Sequence, residues 1–303
     1  QVTSSRDGND AWNGKPEIRH TQDTKKILKN DDGFIREVAP KIMKKDGRIR
    51  LAKYFIGDGE PKGNDVGKVL MLVGATGAGK TKLIDAFVNY AYGVKWESDF
   101  RLKMVVDGGC EMSEAHSQTK WISAYVLPKQ NGSTLPYTFT VIDTPGFGDT
   151  DGMEKDEELL KQIQEFFSNG EYFGVKALHG IGFVIPAPES RLTDSQKYLF
   201  QRMLSVFGDC AEENSFVLTT FADNQKPPVL NALACENFPC KHVFKFNNSV
   251  LFSQSRDDEY GAFDRLAWKM GTSSFSSFFQ KFESTQPVSL TQLQGVMDAM
   301  DGL

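Results

Sequence analysis

The sequence has 303 residues, of which 40% are hydrophobic and 25% are charged, and its formal net charge at pH 7 is −5. This composition is that of a globular protein with a full apolar core, and the acidic excess argues against a nucleic-acid-binding surface as the main function. No apolar run approaches the roughly 20 residues that a membrane-spanning helix requires, so we expect no transmembrane segment.

The four cysteines, Cys110, Cys210, Cys235 and Cys240, form no CxxC pair, and no histidine stands at zinc-finger spacing from them. We therefore expect no zinc site, and reduced thiols are typical of a cytoplasmic protein. The chain begins with Gln1 and has no signal-peptide pattern. We interpret it as a piece of a longer, cytoplasmic protein.

The N-terminal part, residues 1–65, predicts little regular structure. Residues 1–24 are polar and lack apolar periodicity, which is typical of a disordered segment. Residues 25–57 mix lysines with apolar residues and favour a short helix before Pro40 and a second element at 49–56. A Gly-, Asp- and Pro-rich linker follows. We therefore assign this part to a partly disordered N-terminal extension.

The next part, residues 66–283, alternates between two patterns. Short apolar runs predict strands at 69–73, 139–142, 181–185, 216–220 and 243–246. Segments with helical periodicity predict helices at 80–92, 154–167, 193–207 and 229–235. Because strands alternate with helices, we expect one α/β domain with a mostly parallel sheet.

A hairpin is predicted within this domain. Residues 121–127 alternate between apolar and polar side chains, as a half-exposed strand does, and can pair with residues 137–142 across Asn131 and Gly132. This hairpin would add one antiparallel edge strand to the sheet.

The end of the domain is rich in phenylalanine. Two apolar stripes at helical spacing flank residues 271–274, and their members are Phe263, Leu266, Ala267 and Met270, followed by Phe275, Phe278, Phe279 and Phe282. We expect both stripes to face the core, and an exposed oligomer surface is the alternative. Residues 284–303 are interpreted as a C-terminal tail that begins a further segment.

The strongest motif follows the first strand of the domain. It fits GxxxxGK[ST] at every fixed position, and its residues are Gly74, Ala75, Thr76, Gly77, Ala78, Gly79, Lys80 and Thr81. A strand before it and a helix after it are the context of a phosphate-binding loop, or P-loop. Glycines let backbone N–H groups surround phosphates, and the helix N-terminus adds positive charge. We expect Lys80 to reach the β- and γ-phosphates, Thr81 to bind Mg²⁺ and Lys82 to lie beside the nucleotide.

A DxxG motif, residues 143–146, follows the strand at 139–142. We expect Asp143 to hold Mg²⁺ and the Gly146 N–H to sense the γ-phosphate, although a plain Pro-Gly turn is the alternative. A first switch is predicted in the long segment before the hairpin, with Thr119 as the hydroxyl that closes on Mg²⁺. The predicted metal ligands are thus Thr81, Thr119 and Asp143, and the predicted catalytic residues are Lys80, Thr119 and Gly146.

A base-reading segment is predicted where the TFAD sequence begins at Thr220, the place where GTP-binding proteins carry [NT]KxD. Asp223 can accept hydrogen bonds from guanine N1–H and its amino group, which would favour guanine about ten- to a hundred-fold over adenine. Phe221 replaces the usual lysine, and an aromatic ring there can stack on the base. Asn247 and Asn248 can meet the guanine edge or the sugar. A capping aspartate and an Asn-Asn turn are the alternatives.

The order of these motifs resembles that of the avirulence-induced-gene and immunity-associated (GIMAP-type) GTPases, with septins and chloroplast Toc receptors as relatives. The RLTD segment at 191–194 is similar to a box that this family carries between its third and fourth motifs. The resemblance covers about residues 66–283. It implies a P-loop NTPase fold of the GTPase type, a three-layer sandwich that dimerises through its nucleotide face.

The sequence therefore predicts a guanine-nucleotide switch that binds GTP or GDP with Mg²⁺, hydrolyses GTP slowly and forms a homodimer. Slow turnover is expected because Phe147 follows Gly146, where Ras carries a glutamine that positions the attacking water. A GTP-binding assembly scaffold that does not hydrolyse the nucleotide is one alternative, and an ATPase is another.

Overall fold

Strands and helices alternate along the computed structural model, which describes residues 28–30, 33–57, 67–104, 121–148, 153–254 and 259–301. The strands are β1 (Leu28–Asn30), β2 (Ile35–Val38), β3 (Lys41–Asp46), β4 (Leu51–Phe55), β5 (Lys68–Val73), β6 (Arg101–Met104), β7 (Ile122–Leu127), β8 (Phe139–Asp143), β9 (Ala177–Leu178), β10 (Gly180–Pro186), β11 (Ser215–Thr220), β12 (Val243–Lys245) and β13 (Val288–Ser289). The α-helices are α1 (Lys80–Ala91), α2 (Met153–Asn169), α3 (Asp194–Phe207), α4 (Ala211–Asn214), α5 (Val229–Cys235), α6 (Glu259–Glu283) and α7 (Leu290–Asp301).

An eight-stranded sheet forms the centre of the fold, in the order β12-β11-β10-β5-β8-β7-β4-β3. The five strands from β12 to β8 run parallel to one another. The β7 strand is antiparallel to β8, β4 is parallel to β7, and β3 is antiparallel to β4. The predicted α/β class with a mostly parallel sheet is confirmed. The strands and helices predicted between residues 66 and 253 all occur, within two residues of the expected limits.

Two apolar layers cover the two faces of this sheet. Along β5, Leu70 and Leu72 face one layer, whereas Met71 and Val73 face the other, as expected from the two-residue period of a strand. The first layer contains α1 and α6, and the second contains α2, α3, α5 and α7. The fold is therefore the three-layer sandwich that the sequence predicts.

The predicted place of the antiparallel strand is wrong. All six residues of β7 are buried, and β7 is not at the sheet edge, because β4 and β3 pair beyond it. The edge strand on this side of the sheet is β3, which exposes Lys41, Lys44 and Lys45 and has an irregular register at Met43. These two strands precede residue 65, so part of the predicted N-terminal extension belongs to the main sheet. The predicted domain limits otherwise stay predictions.

The predicted helix before Pro40 is also wrong. Residues there form β2, which pairs with β1 and, in parallel, with β6 in a separate three-stranded sheet. Arg101 of β6 is fully buried, and its guanidinium donates hydrogen bonds to backbone carbonyls between residues 95 and 100. The same guanidinium lies 4.2 Å from the ring centroid of Trp268, which ties β6 to α6.

The segment after residue 283 packs onto the domain. The β13 strand pairs with β9, and α7 contacts α2 and α3. Leu293 and Met297 of α7 are 0% and 1% exposed, within the same apolar layer as those helices. The residues predicted to be a tail therefore complete one layer of the sandwich.

The phenylalanine-rich end forms one helix, α6, without a break at Gly271. The second predicted stripe is buried, as expected, and its members are Phe275, Phe278, Phe279 and Phe282. The first stripe does not face the core, since Phe263, Leu266 and Met270 are 68%, 56% and 43% exposed. Among the described residues, no helix has the length and apolar character needed to cross a bilayer.

The contrast along α6 gives a prediction about stability. Phe278 is 0% exposed and meets the rings of Phe216 and Phe282 at centroid distances of 5.5 Å. We expect Phe278→Ala to lower the free energy of unfolding by about 3–5 kcal/mol, the usual result of deleting a buried aromatic ring. Phe263→Ala is the matched control and should change it by less than about 0.5 kcal/mol. Urea unfolding of both variants is the measurement, and equal losses would contradict this account of the core.

Candidate nucleotide-binding site

The P-loop connects β5 to α1, as the motif requires. Gly77 and Gly79 have φ angles of 78° and 89°, in the left-handed region that side-chain-bearing residues rarely adopt. The hydroxyl of Thr220, at the end of β11, donates to the Ala78 carbonyl at 2.6 Å. The hydrogen bond therefore ties the loop to β11. The backbone amides of the loop lie at the N-terminus of α1, a 12-residue helix.

Lys80 lies folded into this loop. Its Nζ donates to the carbonyl oxygens of Gly74 at 2.7 Å and Ala75 at 3.2 Å, and the residue is 8% exposed. Burial lowers the pKa of this ammonium group, and the nearby negative charge of Asp143 opposes that shift. A cation placed there gains from an anion above the loop, since little water remains to solvate it.

Two of the three predicted magnesium ligands lie within the described residues. Asp143 ends β8 and is 4% exposed, next to β5, where its register partner is Leu72. The adjacent Thr144 hydroxyl donates to the Leu72 carbonyl at 2.7 Å, which fixes the start of the DxxG loop. Thr81, in the first turn of α1, is exposed. The third predicted ligand, Thr119, lies outside the described residues.

The DxxG loop packs directly on the P-loop. A Cβ atom added to Gly146 would lie 2.5 Å from the Thr76 hydroxyl oxygen and 2.8 Å from Thr76 Cα, so only glycine fits. The Thr76 N–H donates to the Phe147 carbonyl at 3.0 Å. Phe147 itself is 2% exposed, with its ring 5.7 Å from that of Phe200. Its side chain therefore belongs to the core.

Of the residues in the predicted base-reading segment, Thr220 and Phe221 lie beside the P-loop. Asp223 is exposed, and its Oδ1 accepts a hydrogen bond from Gln225 N at 2.8 Å, which leaves the other oxygen for a ligand. Lys245 Nζ donates to the carbonyls of Asp223 and Gln225, each at 3.2 Å. This link holds the segment after β11 to the end of β12. The side chain of Phe221 is exposed beside Gly79. The ammonium group of Lys82 lies 5.2 Å from the ring centroid of Phe252.

Asn247 and Asn248 follow β12 at the same edge of the sheet. The Asn247 Oδ1 accepts from Ser249 N at 3.1 Å and caps the short 3₁₀ helix Asn248–Phe252. The turn that the sequence offered as an alternative is therefore present at Asn247. Both asparagines line a cavity of about 40 Å³ between α1 and α6, and Trp268 also lines it.

Sequence reasoning missed Asp85, a carboxyl group within the apolar run of α1. Its Oδ1 accepts from Met104 N at 2.9 Å, at the end of β6. Burial raises the pKa of Asp85 to about 6. The hydrogen bond from Met104 and the charges of Lys103 and Lys82 oppose this shift only in part. The segment that follows Met104 holds the predicted first switch and lies outside the described residues. An acid inside an apolar helical run was the available signal.

Asp85 gives a prediction about pH. A raised pKa means that the folded state keeps this proton longer than the unfolded chain, so stability falls as pH rises from about 4 to above 6. Asp85→Asn keeps the acceptor oxygen and removes the charge. We expect it to raise the unfolding free energy at pH 8 by about 2–3 kcal/mol and to change it little at pH 4. Asp209→Asn, at an exposed position, is the control variant. If Asp85→Asn changed the unfolding free energy equally at about pH 4 and pH 8, the raised pKa of Asp85 would be refuted.

Of three comparisons with known proteins, only that with solved structures found similar chains. The chain matches no protein-family model and no curated protein. Among solved structures it is similar to Toc33 from Arabidopsis thaliana in complex with GDP and Mg²⁺, at 13% identity and a TM-score of 0.39, over 68% of this chain and 85% of that chain. It is also similar to a probable GTP-binding protein engB (15%, 0.33, 67% and 97%) and to Cdc11 from Saccharomyces cerevisiae (15%, 0.31, 67% and 76%). Identities and TM-scores this low assign no activity to this chain.

Proposed function

We propose that this chain is a guanine-nucleotide switch that binds GTP or GDP with Mg²⁺, hydrolyses GTP slowly and dimerises through its nucleotide face. One observation carries the proposal. The buried ammonium group of Lys80 lies inside a glycine loop at a helix N-terminus, beside the strand-end carboxylate of Asp143. An anion-binding loop and a cation-binding carboxylate are thus adjacent, which suits a triphosphate with its magnesium ion.

The residues of the site fit a triphosphate and a magnesium ion. The positive φ angles at Gly77 and Gly79 turn the loop without side chains in the way of phosphates, and no heavy atom lies within 4 Å of a Cβ added at Gly77. The Thr81 hydroxyl and Asp143 would hold Mg²⁺, which supplies positive charge to the phosphate oxygens when bound. Lys80 and the loop amides would stabilise the charge that develops during transfer of the γ-phosphoryl group.

Base selection is proposed to depend on Asp223. Its carboxylate is exposed at the end of β11, and the hydrogen bonds from Lys245 hold the surrounding backbone in place. Such a carboxylate accepts the two N–H groups on the guanine edge, whereas adenine presents no matching pair of donors there. Asn247 and Asn248 are proposed to contact the base or sugar from the neighbouring loop.

A second candidate function is an assembly scaffold that binds GTP without hydrolysing it. The burial of Phe147 favours this candidate, because the position that follows Gly146 supplies no group to orient water. An ATPase remains a further alternative. The predicted relation to immunity-associated GTPases and the predicted cytoplasmic location also stay proposals, which rest on the motif order and on the cysteine content.

The first test is nucleotide binding. We expect Lys80→Ala to weaken Mg·GTP and Mg·GDP binding at least about 100-fold, since the charge-assisted contact to the β-phosphate, and in GTP also that to the γ-phosphate, is lost. Lys129→Ala removes an exposed lysine elsewhere and should leave binding unchanged. Titration of a fluorescent guanine nucleotide is the measurement. Folded wild-type protein without affinity for any purine nucleotide in magnesium buffer would disprove the proposed function.

The same titration tests base selection by competition between GTP and ATP. Asp223→Asn should lower the affinity for GTP by about ten- to a hundred-fold while the affinity for ATP stays unchanged. This variant keeps the oxygen that accepts from Gln225 N, so the local turn is retained. A wild type that prefers ATP, or an equal loss for both nucleotides, would favour the ATPase instead.

Hydrolysis distinguishes the switch from the scaffold. If a second copy of the chain completes the site, phosphate release per site should rise with protein concentration, by about 10³–10⁵-fold if an arginine is supplied across the dimer. Release measured from dilute to concentrated protein, with the oligomeric state followed by sizing in parallel, is the experiment. A rate that is slow and independent of concentration argues against dimer-assisted catalysis, and no release at all supports the scaffold.

A further inference from the structure

One aromatic side chain of the site is exposed although its neighbours are buried. Phe221 is 56% exposed, while Thr220 and Ala222 on either side are 3% and 5% exposed. Hydrogen bonds from Ala187 N to the Thr220 carbonyl at 2.8 Å and from Ala222 N to the Phe246 carbonyl at 3.1 Å hold the backbone on both sides. The fold itself therefore imposes the exposed position of this ring.

The backbone at Phe221 is strained. Its φ angle is 51°, in the left-handed region where a bulky side chain is an outlier. Such strain persists only where the surroundings determine the conformation, and it clusters at ligand-binding sites. Glycine would adopt this φ without strain, so the backbone conformation alone does not explain a phenylalanine at this position.

The ring adjoins both halves of the proposed site. Its Cε2 atom is 3.6 Å from the point where a Cβ of Gly79 would stand, at the P-loop. Asp223, the carboxylate proposed to read the base, lies two residues further along the chain. A nucleotide with its phosphates on the loop and its base at Asp223 would pass beside this ring.

We infer that the Phe221 ring is a stacking platform for the purine base, a role that rests on the nucleotide binding proposed above. Stacking on an aromatic ring accepts every base, because each has a π-face, whereas a carboxylate distinguishes bases by their edges. Phe221 then supplies affinity without selectivity, and Asp223 supplies selectivity. The two contributions are separable by experiment.

The experiment compares three ligands on the full chain, namely Mg·GDP, Mg·IDP and Mg·tripolyphosphate, the last of which has no base. Phe221→Ala should weaken GDP and IDP by the same factor, about 5- to 100-fold, and leave tripolyphosphate unchanged. Phe221→Tyr should keep wild-type affinity for all three ligands. Phe263→Ala removes a phenylalanine of similar exposure on α6 and is the matched control, with no expected change.

Three results would overturn the inference while GDP binding itself persists. These are equal GDP affinity of wild type and Phe221→Ala, an equal loss for tripolyphosphate, and a loss seen only at concentrations where the chain is dimeric. The second would mean that the ring supports the loop, and the third that it acts across a dimer. Wild-type protein that binds no GDP would overturn the proposed function and this inference with it.

A second variant separates a binding role from a packing role. Phe221→Gly relieves the left-handed strain, so we expect its melting temperature without nucleotide to rise while its affinity for GDP falls. A ring present only for packing would give a lower melting temperature in the same variant. Thermal unfolding and GDP titration of one preparation therefore decide between the two roles.

Discussion

The ammonium group of Lys80, buried against two carbonyl oxygens of its own loop, is the interaction on which the site depends. A cation with so little water around it needs hydrogen-bond acceptors and nearby negative charge, which the two carbonyl oxygens and Asp143 supply. That arrangement needs the sharp turns at Gly77 and Gly79 and the support of the Thr220 hydroxyl beneath the loop. The parallel strands β5 and β8 bring the P-loop and the DxxG loop to the same edge of the sheet, next to the ammonium group of Lys80.

Much of the fold could be predicted from the sequence because its central strands are covered on both faces. Strands such as β5 and β10 are therefore short, almost entirely apolar runs, which are easy to recognise. The strand β3 was missed for the opposite reason, whereas β4 lies within the element predicted at 49–56. Residues 41–45 of β3 are exposed, so no alternation marks the strand, and its lysines suggested a solvated extension. In α6, Gly271 suggested a break, yet the helix continues because the packing of its second half outweighs one glycine.

The candidate site shows the same division. The P-loop and the DxxG motif are local patterns, and the structure places them next to each other as their spacing indicated. Three further features depend on contacts distant in sequence and were not foreseen. Phe147 is buried because α3 supplies Phe200, Asp85 meets a backbone N–H of β6, and the conformation of Phe221 follows from the strands that fix its neighbours. Apart from the acid within the apolar run of α1, the residue types carry none of this information.

The exposed edge of the sheet has a consequence for assembly. A free edge strand offers unpaired backbone groups to any other strand, and this is how β-proteins join into fibres. On β3 three lysines and a bulge at Met43 occupy that edge, so a second copy would bring like charges together along an irregular ladder. Growth of the sheet from molecule to molecule is thereby disfavoured at the β3 edge. Copies of this chain can thus be concentrated without their sheets joining through β3.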